Sequence, residues 1–190
     1  LIGTDAGTAG QTYMMLSDGA SWYHEGKGAR TDSIKESKIK NLEADGGNIY
    51  QKNEKPITIE NYKGNMKLFY KHENAGTKAE DYKSGDVHIG SAAEGSRITV
   101  VTDNSGITMT DEAQIYEVLN ALAGKLYYDA YKTGEEKLTG QATIAEGLTS
   151  SSKTLEMKNM LFKKENGQGY VQGKPTPPAE LSPITGDEGK

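Results

Sequence analysis

The stretch ITIENYKGNMKLFYKHENAGT, residues 57–77, has the same layout as VHIGSAAEGSRITVVTDNSGI, residues 87–107, thirty positions later. Each copy holds a short alternating apolar run, a polar turn, a second alternating run and an Asn/Gly corner. A gapless alignment pairs Ile59 with Ile89, Leu68 with Ile98, Tyr70 with Val100, Asn74 with Asn104 and Gly76 with Gly106. Strand segments that recur at a fixed period are typical of chains that wind into stacked coils. The repeat therefore predicts an all-β fold of the β-solenoid type.

Alternation within these runs predicts which side chains face the core. The predicted buried positions are Ile57, Ile59, Leu68, Tyr70, Val87, Ile89, Ile98 and Val100. Near the start, YMMLSDGASWYH reads as two short strands about a turn at residues 17–19. The candidates for its inner face are Tyr13, Met15, Ala20 and Trp22. The segment SIKESKIKNLEAD, residues 33–45, fits a helical turn or a strand, and we favour the strand because Gly46 and Gly47 follow it.

One segment, TDEAQIYEVLNALAGK at residues 110–125, departs from the strand pattern. Its apolar residues Ile115, Val118, Leu119 and Leu122 recur at helical spacing and form a single stripe. Asp111 with Gln114 fits a capping box, and Gly124 fits the position just after a helix. The sequence thus predicts one α-helix inserted around residues 111–124.

The chain divides into three predicted parts by composition. Residues 1–11 are rich in Gly, Ala and Thr and read as an irregular lead-in, whereas residues 12–173 carry the strand pattern and the helical insertion. Residues 174–190 hold four of the five prolines and read as a linker towards a missing C-terminal part. The chain begins at Leu1 without a signal-peptide pattern, so we expect the segments for export and anchoring to lie outside it.

Composition disfavours several functional classes. The net charge is −5 and no Lys/Arg block with interleaved aromatics occurs, which disfavours nucleic-acid binding. Cysteine is absent, which excludes disulfides and thiolate metal sites. No apolar run approaches the roughly 20 residues that cross a bilayer. A hydrophobic content of 34% suits the narrow core of a solenoid.

Residue types capable of catalysis or metal binding are present without the expected spacing. His24, His72 and His88 show no metal-ligand pattern, and we interpret them as surface histidines, with His88 pointing outward beside Val87 and Ile89. Asp86 and Asp103 do not occupy equivalent positions of the repeat, so no ladder of carboxylates is predicted. A pair of acids in space needs no spacing in sequence, so a glycosidase or lyase remains an alternative.

Three further motifs are incomplete. The glycine-rich stretch GTDAGTAG at residues 3–10 lacks the lysine of a phosphate-binding loop, and the serines at 150–152 lack a nucleophile elbow. SPITG, residues 182–186, is similar to a sortase signal but lacks its leading Leu-Pro pair. We therefore predict no catalytic, cofactor-binding or metal-binding residue, and no enzyme activity.

Tyrosines allow two interpretations. They could form an aromatic patch that binds sugars, or they could pack in the core, which we favour because buried tyrosine is more common in this setting. The tyrosines concerned are Tyr62, Tyr70, Tyr116, Tyr127, Tyr128 and Tyr131.

The runs DGASWYHEGK, SKIKNLEADGGNIY and ITIENYKGNMKLFYKHEN resemble passenger domains of pertactin-like bacterial autotransporters. In that family the first sequence unit contains a small residue, a Trp and a Gly, followed by a Leu, a pair of Gly residues and an Ile. A second sequence unit comes after it. The matching residues here are Ala20, Trp22, Gly26, Leu42, Gly46, Gly47 and Ile49, then Ile57, Ile59, Tyr62 and Gly64. The resemblance covers residues 12–170, and the helix at 111–124 departs from a plain coil of the family.

The resemblance implies a right-handed parallel β-helix displayed outside an outer-membrane-bearing bacterium, with a membrane-anchoring β-barrel further along the parent chain. It implies a rigid adhesive or structural stalk without catalysis, which contacts molecules on host or neighbouring cells, glycans among them. A carbohydrate-active β-helix enzyme and a self-associating, filament-forming module remain the alternatives.

Overall fold

A computed structural model describes residues 12–25, 36–103, 109, 111–144 and 157–172 of the chain. Within these residues the fold is mostly β, with a single α-helix, as the sequence predicts. The strands are β1 (Tyr13–Ser17), β2 (Ser21–His24), β3 (Ser37–Gln51), β4 (Ile57–Lys71), β5 (Val87–Ala92), β6 (Ser96–Asp103), β7 (Leu126–Tyr128), β8 (Leu138–Thr143), β9 (Lys158–Phe162) and β10 (Gly169–Val171), and the helix is α1 (Glu112–Ala123).

The two long strands β3 and β4 form the middle of a parallel arrangement. Both β1 and β2 pair with β3, while β5 and β6 pair with β4 along its first and second halves. Next, β7 pairs with β5 and β8 pairs with β6, again in parallel. Ile59 lies opposite Ile89 in this register, and both side chains are fully buried. The thirty-residue repeat therefore predicts this pairing correctly.

The second half of the repeat is shifted by two residues from the predicted alignment. Leu68 pairs with Val100 and Met66 pairs with Ile98, whereas the gapless alignment places Leu68 on Ile98. The cause lies between β5 and β6, where the chain makes a turn that β4 does not make. Gly95 occupies the left-handed region at φ 80° in that turn, which a glycine adopts without steric cost.

Three strands interrupt the alternation of buried and outward residues at equivalent points, and these points position the surface described below. In each strand two successive residues face outward between two buried ones, and we call this interruption the bend. The outward pairs are Lys40 with Asn41 in β3, Glu60 with Asn61 in β4, and Gly90 with Ser91 in β5. Because parallel partners stay in register through the bend, outward residues of successive strands lie side by side.

Gly64 forms a second bend in β4. Its φ is 110°, and a Cβ at this position would fall on the carbonyl oxygen of Ala44 in the neighbouring strand. Only glycine combines this dihedral angle with so close a backbone approach.

All eight positions predicted to be buried from the repeat are buried, and they join one apolar cluster. Trp22 is buried as predicted, but the prediction for Tyr13, Met15 and Ala20 is wrong, because these residues are exposed. Met14 and Leu16 face the core instead. The register decides this, since Met14 pairs with Leu42 and Leu16 with Ala44, whose side chains also face inward.

The helix lies where the sequence predicts it. The Asp111 carboxylate accepts a hydrogen bond of 2.9 Å from the Ala113 amide, so Asp111 is the N-cap. Val118, Leu119 and Leu122 are buried in the same cluster as the strands. Gly124 is the C-cap itself rather than the residue after it, and its backbone is right-handed.

The last two strands differ from the others. Both β9 on β8 and β10 on β9 are antiparallel, so the sheet is mixed. The prediction of a parallel β-helix throughout residues 12–173 is therefore not shown by the structure, because the chain reverses after β8 instead of continuing its parallel path. The predicted lead-in, the linker with SPITG and the serines at 150–152 lie outside the described residues.

Candidate functional site

His24 is buried, so its interpretation as a surface histidine is wrong. Its Nδ1 lies 2.6 Å from Oε1 of Gln51, and its Nε2 lies 2.8 Å from Oγ of Ser37. Trp22 already indicated this outcome, since residues two apart on a strand share a face and Trp22 faces the core. Sequence reasoning applied the alternation to Trp22 and did not extend it to His24.

The hydrogen bonds of Gln51 fix the tautomer of His24. The Gln51 amide nitrogen donates to the carbonyls of Lys55 at 2.9 Å and Gly85 at 3.2 Å, so its Oε1 must accept the proton on Nδ1 of His24. The Nε2 atom of His24 then accepts the hydroxyl proton of Ser37. Burial lowers the pKa of His24 despite the bond to Gln51.

This Ser–His–Gln arrangement has the connectivity of a hydrolytic triad. Ser37 is only 2% exposed, however. A substrate carbonyl cannot approach a nucleophile buried in this way. We therefore interpret the cluster of Ser37, His24 and Gln51 as structural. Its hydrogen bonds link β2, β3 and the loop after β3 inside the fold.

The other two histidines lie nearer the surface. His88 points outward as predicted, and its ring stacks on Tyr127 at 4.5 Å, with Nδ1 3.3 Å from Oδ1 of Asp129. His72 packs edge-on against Tyr82 at 6.0 Å. Among the described residues no group of three His, Asp or Glu side chains could hold a metal ion.

Two carboxylates, those of Glu135 and Asp81, stabilise the fold by accepting hydrogen bonds. Glu135 accepts hydrogen bonds from the Ser91 hydroxyl at 2.6 Å, the Ala92 amide at 2.9 Å and the Tyr128 hydroxyl at 2.5 Å. Burial opposes ionisation of Glu135, but these bonds outweigh it and lower the pKa. Asp81 accepts from the Thr77 and Lys78 amides at 3.1 Å each and thereby orders the loop between β4 and β5.

The six tyrosines do not assemble into one sugar-binding patch. Tyr62, Tyr70 and Tyr128 are buried in the core, and burial raises the pKa of each hydroxyl. Tyr116 and Tyr131 pack partly buried against the same cluster, while Tyr127 stacks on His88. Core packing, the favoured interpretation, holds for most of this set.

An aromatic column on the outer face was not predicted. Tyr23, Tyr50 and Phe69 stack across β2, β3 and β4, with ring centroids 4.6 and 4.4 Å apart and nearly parallel planes. The Nζ atom of Lys52 lies 5.5 Å from the centre of the Tyr23 ring. The loops between these strands differ in length, so the three residues do not recur at a fixed spacing along the chain. They are brought together by the strand register, which pairs Tyr23 with Tyr50 and Tyr50 with Phe69.

A surface groove of about 450 Å³ runs over the first bend, and we call it the corner groove. It crosses β1, β3, β4 and β5, and besides the buried Tyr62 its polar and aromatic lining consists of Tyr13, Asn41, Glu43, Asn61, Lys63 and Ser91. The Asn61 amide nitrogen donates to Oδ1 of Asn41 at 3.2 Å and to the Lys40 carbonyl at 3.3 Å. The Tyr13 hydroxyl donates to Oε1 of Glu43 at 2.9 Å.

A second groove, of about 410 Å³, lies between the end of α1 and the β9–β10 pair. Two of its polar side chains are bonded to the scaffold: the Lys125 ammonium donates to the Ser84 carbonyl, and the Gln168 amide donates to the Gly124 carbonyl, both at 2.8 Å. Burial lowers the pKa of Lys125, an effect that the nearby Asp86 carboxylate opposes. This groove is a junction between elements, whereas the corner groove presents polar groups outward.

Comparison with protein-family models, with characterised proteins and with solved structures gives no match. None of the helical residues that the structure describes forms a segment long and apolar enough to cross a membrane.

Proposed function

We propose that this chain is a non-catalytic segment of a bacterial surface-exposed autotransporter passenger, acting as a rigid adhesive or structural stalk. Its parallel strands would form the coils of a right-handed β-helix, and its outer faces would contact molecules on host or neighbouring cells. The observation that carries this proposal is the parallel pairing of successive strands from β1 and β2 through to β7 and β8.

Coil-like organisation is supported by the way β4 meets its neighbours. The single strand β4 pairs with β5 along its first half and with β6 along its second half, so the chain returns once after the 72–86 loop and then follows the whole edge of β4. Fully buried apolar residues occupy matching positions on successive strands, as in Ile39, Ile59 and Ile89. Stacked repeats bury their apolar faces on each other in this way.

The positions that carry the resemblance to autotransporter passengers also have structural roles. Ile57, Ile59 and Tyr62 of the second motif unit are buried, and Gly64 forms the bend that no other residue fits. In the first unit Trp22 is buried and Gly46 has a φ of 79°. A cysteine-free sequence further suits a chain that crosses an oxidising compartment before it folds.

Attachment and location are tested in two assays with the full chain. Chain immobilised on beads should attach to animal cells or to partner bacteria, and antibodies against the chain should label intact cells of the source bacterium. Labelling that requires permeabilised cells would contradict the surface location. Beads that attach to neither kind of cell would contradict the adhesive role.

The coil path is tested by cysteine pairs, which the cysteine-free sequence makes unambiguous. Thr58 lies opposite His88 in the parallel register, so a Thr58→Cys/His88→Cys chain should cross-link rapidly under mild oxidation. In the control pair, Thr58→Cys/Arg97→Cys, the second residue lies on β6, opposite Asn65 rather than Thr58. Equal cross-linking of the two pairs would contradict the path.

Self-association is a second candidate, and the edge of the sheet favours it. Among the described residues β1 and β2 pair only with β3, which leaves their other edge open, and Met15 is exposed there. Unpaired strand edges recruit further strands, and a charged side chain on the edge prevents this. Light scattering should therefore show dimers that Met15→Lys converts to monomers, while a monomeric wild-type chain would exclude this candidate.

A further inference from the structure

We propose that the corner groove binds a neutral oligosaccharide, with the Tyr13 ring as the platform on which one sugar stacks. The inference rests on the adhesive role proposed above and names the ligand class for it. It concerns Tyr13, whose ring is exposed, unlike the buried tyrosines of the core.

Tyr13 supplies an accessible ring that is held in place. Its side chain is 56% exposed, and its hydroxyl is anchored to Glu43 at 2.9 Å. The less polar C–H face of a pyranose packs on an aromatic ring, because the ring offers a flat apolar surface in water. Since the anchored ring is already oriented, ligand binding immobilises less of the protein.

The two asparagines at the bend offer matched hydrogen-bonding groups. The Asn61 amide nitrogen and Oδ1 of Asn41 bond to each other, which orients both side chains. This leaves Oδ1 of Asn61 as an acceptor and Nδ2 of Asn41 as a donor, with no protein partner among the described residues. Neighbouring sugar hydroxyls each donate and accept, so an adjacent acceptor and donor suit a pair of them.

The charges of the groove favour a neutral ligand. Glu43 on β3 lies opposite Lys63 on β4, and the lining carries one charge of each sign. A sulfated or sialylated glycan would meet the Glu43 carboxylate without a surplus of cations to offset it. Hydroxyl groups can instead bond to the free oxygen of Glu43 and to the Lys63 ammonium.

The length of the groove favours several sugar units. It spans β1, β3, β4 and β5, which are three strand spacings or about 14 Å across the sheet. That exceeds a single pyranose ring and suits a disaccharide or trisaccharide laid across the strands. Tyr13 at one end and Ser91 at the other would then contact different units, with the Ser91 hydroxyl, which donates to Glu135, acting as an acceptor.

The test is a glycan array with the full chain, followed by calorimetric titration of the strongest neutral ligand. We expect neutral oligosaccharides to bind in preference to sialylated or sulfated ones. Tyr13→Ala should weaken binding about tenfold, or about 1.4 kcal/mol, whereas Tyr13→Phe, which keeps the ring but loses its anchor to Glu43, should weaken binding less. Tyr23→Ala is the matched control, because Tyr23 is 54% exposed and lies in the aromatic column away from the groove.

Several results would overturn the inference. These are an array without neutral ligands, a Tyr13→Ala chain that binds as tightly as wild type, or a Tyr23→Ala chain that loses binding instead. Circular dichroism on each variant establishes that it folds. Beads that attach to cells equally well with Tyr13→Ala and wild type, without glycan binding, would reject this site and leave the adhesive role standing. If the beads attach to no cells and the array shows no bound glycan, both this site and the adhesive role are rejected.

Discussion

Gly64 offers the sharpest test of the close pairing between β3 and β4. An Ala at this position must adopt a φ of 110°, which costs an L-residue about 1–2 kcal/mol. Its Cβ would also meet the Ala44 carbonyl oxygen in the neighbouring strand. Relief requires movement of the backbone of β3 or β4, for which overpacking data suggest about 1–3 kcal/mol more. Gly64→Ala should thus lose about 2–5 kcal/mol of unfolding free energy.

Gly95→Ala is the matched control. Gly95 has a similar left-handed φ of 80°, but a Cβ there meets no atom within 4 Å. Gly95→Ala should therefore lose only the dihedral cost of about 1–2 kcal/mol. Urea titrations followed by far-UV circular dichroism measure both values, and unchanged slopes show that the two chains unfold alike. The reasoning fails if Gly64→Ala loses no more than Gly95→Ala.

Three further predictions concern the core, the buried histidine and the helix. Ile59→Ala should cost about 2–5 kcal/mol of unfolding free energy and Ile59→Val about 0.5–1.5, and equal losses in urea titration would contradict its full burial. The folded-state pKa of His24 lies below its ordinary 6.5, so only the unfolded chain takes up this proton as pH falls below about 6.5. Wild type should lose stability over that window, and a His24→Gln pH series that keeps the same slope would refute this. Asp111→Ala should cost about 0.5–2 kcal/mol, whereas Asp111→Asn retains the cap, and thermal melts compare them.

The sequence was informative where one face of an element was consistently apolar. In β4 and β5 polar residues separate Ile57 from Ile59 and Val87 from Ile89, so the phase of the alternation is unambiguous. The stripe of α1 and its cap at Asp111 likewise permit one interpretation. The segment at residues 33–45, for which we favoured a strand, enters β3 at Ser37.

The phase could not be read where apolar residues fill both faces. Residues 13–16 are Tyr, Met, Met and Leu, so either set of alternate positions could face the core. Pairing with β3 decides between them, because Met14 and Leu16 lie beside the inward-facing Leu42 and Ala44. The same limit applies to the reversal after β8, since periodicity carries no information on strand direction.

The candidate site was beyond sequence reasoning for a related reason. Asn41 and Asn61 are twenty residues apart, and Tyr13 and Glu43 are thirty apart, yet each pair is joined by a hydrogen bond. The separations differ because the connections between paired strands differ in length, and only the strand register places these residues next to each other. No motif search along the chain could therefore find the corner groove.

Register also explains how such a surface tolerates change. The loop between β3 and β4 spans residues 52–56 and the one between β4 and β5 spans 72–86, yet Asn41, Asn61 and Ser91 stay side by side. A longer loop costs little, because the entropy of loop closure rises only slowly with length. A slip of one residue within a strand would instead turn Asn61 inward and Tyr62 outward, exposing an apolar ring and burying an amide. Loops can thus vary freely while the outer columns remain fixed, so the outer surface of this fold is set by residues at matching positions of successive strands.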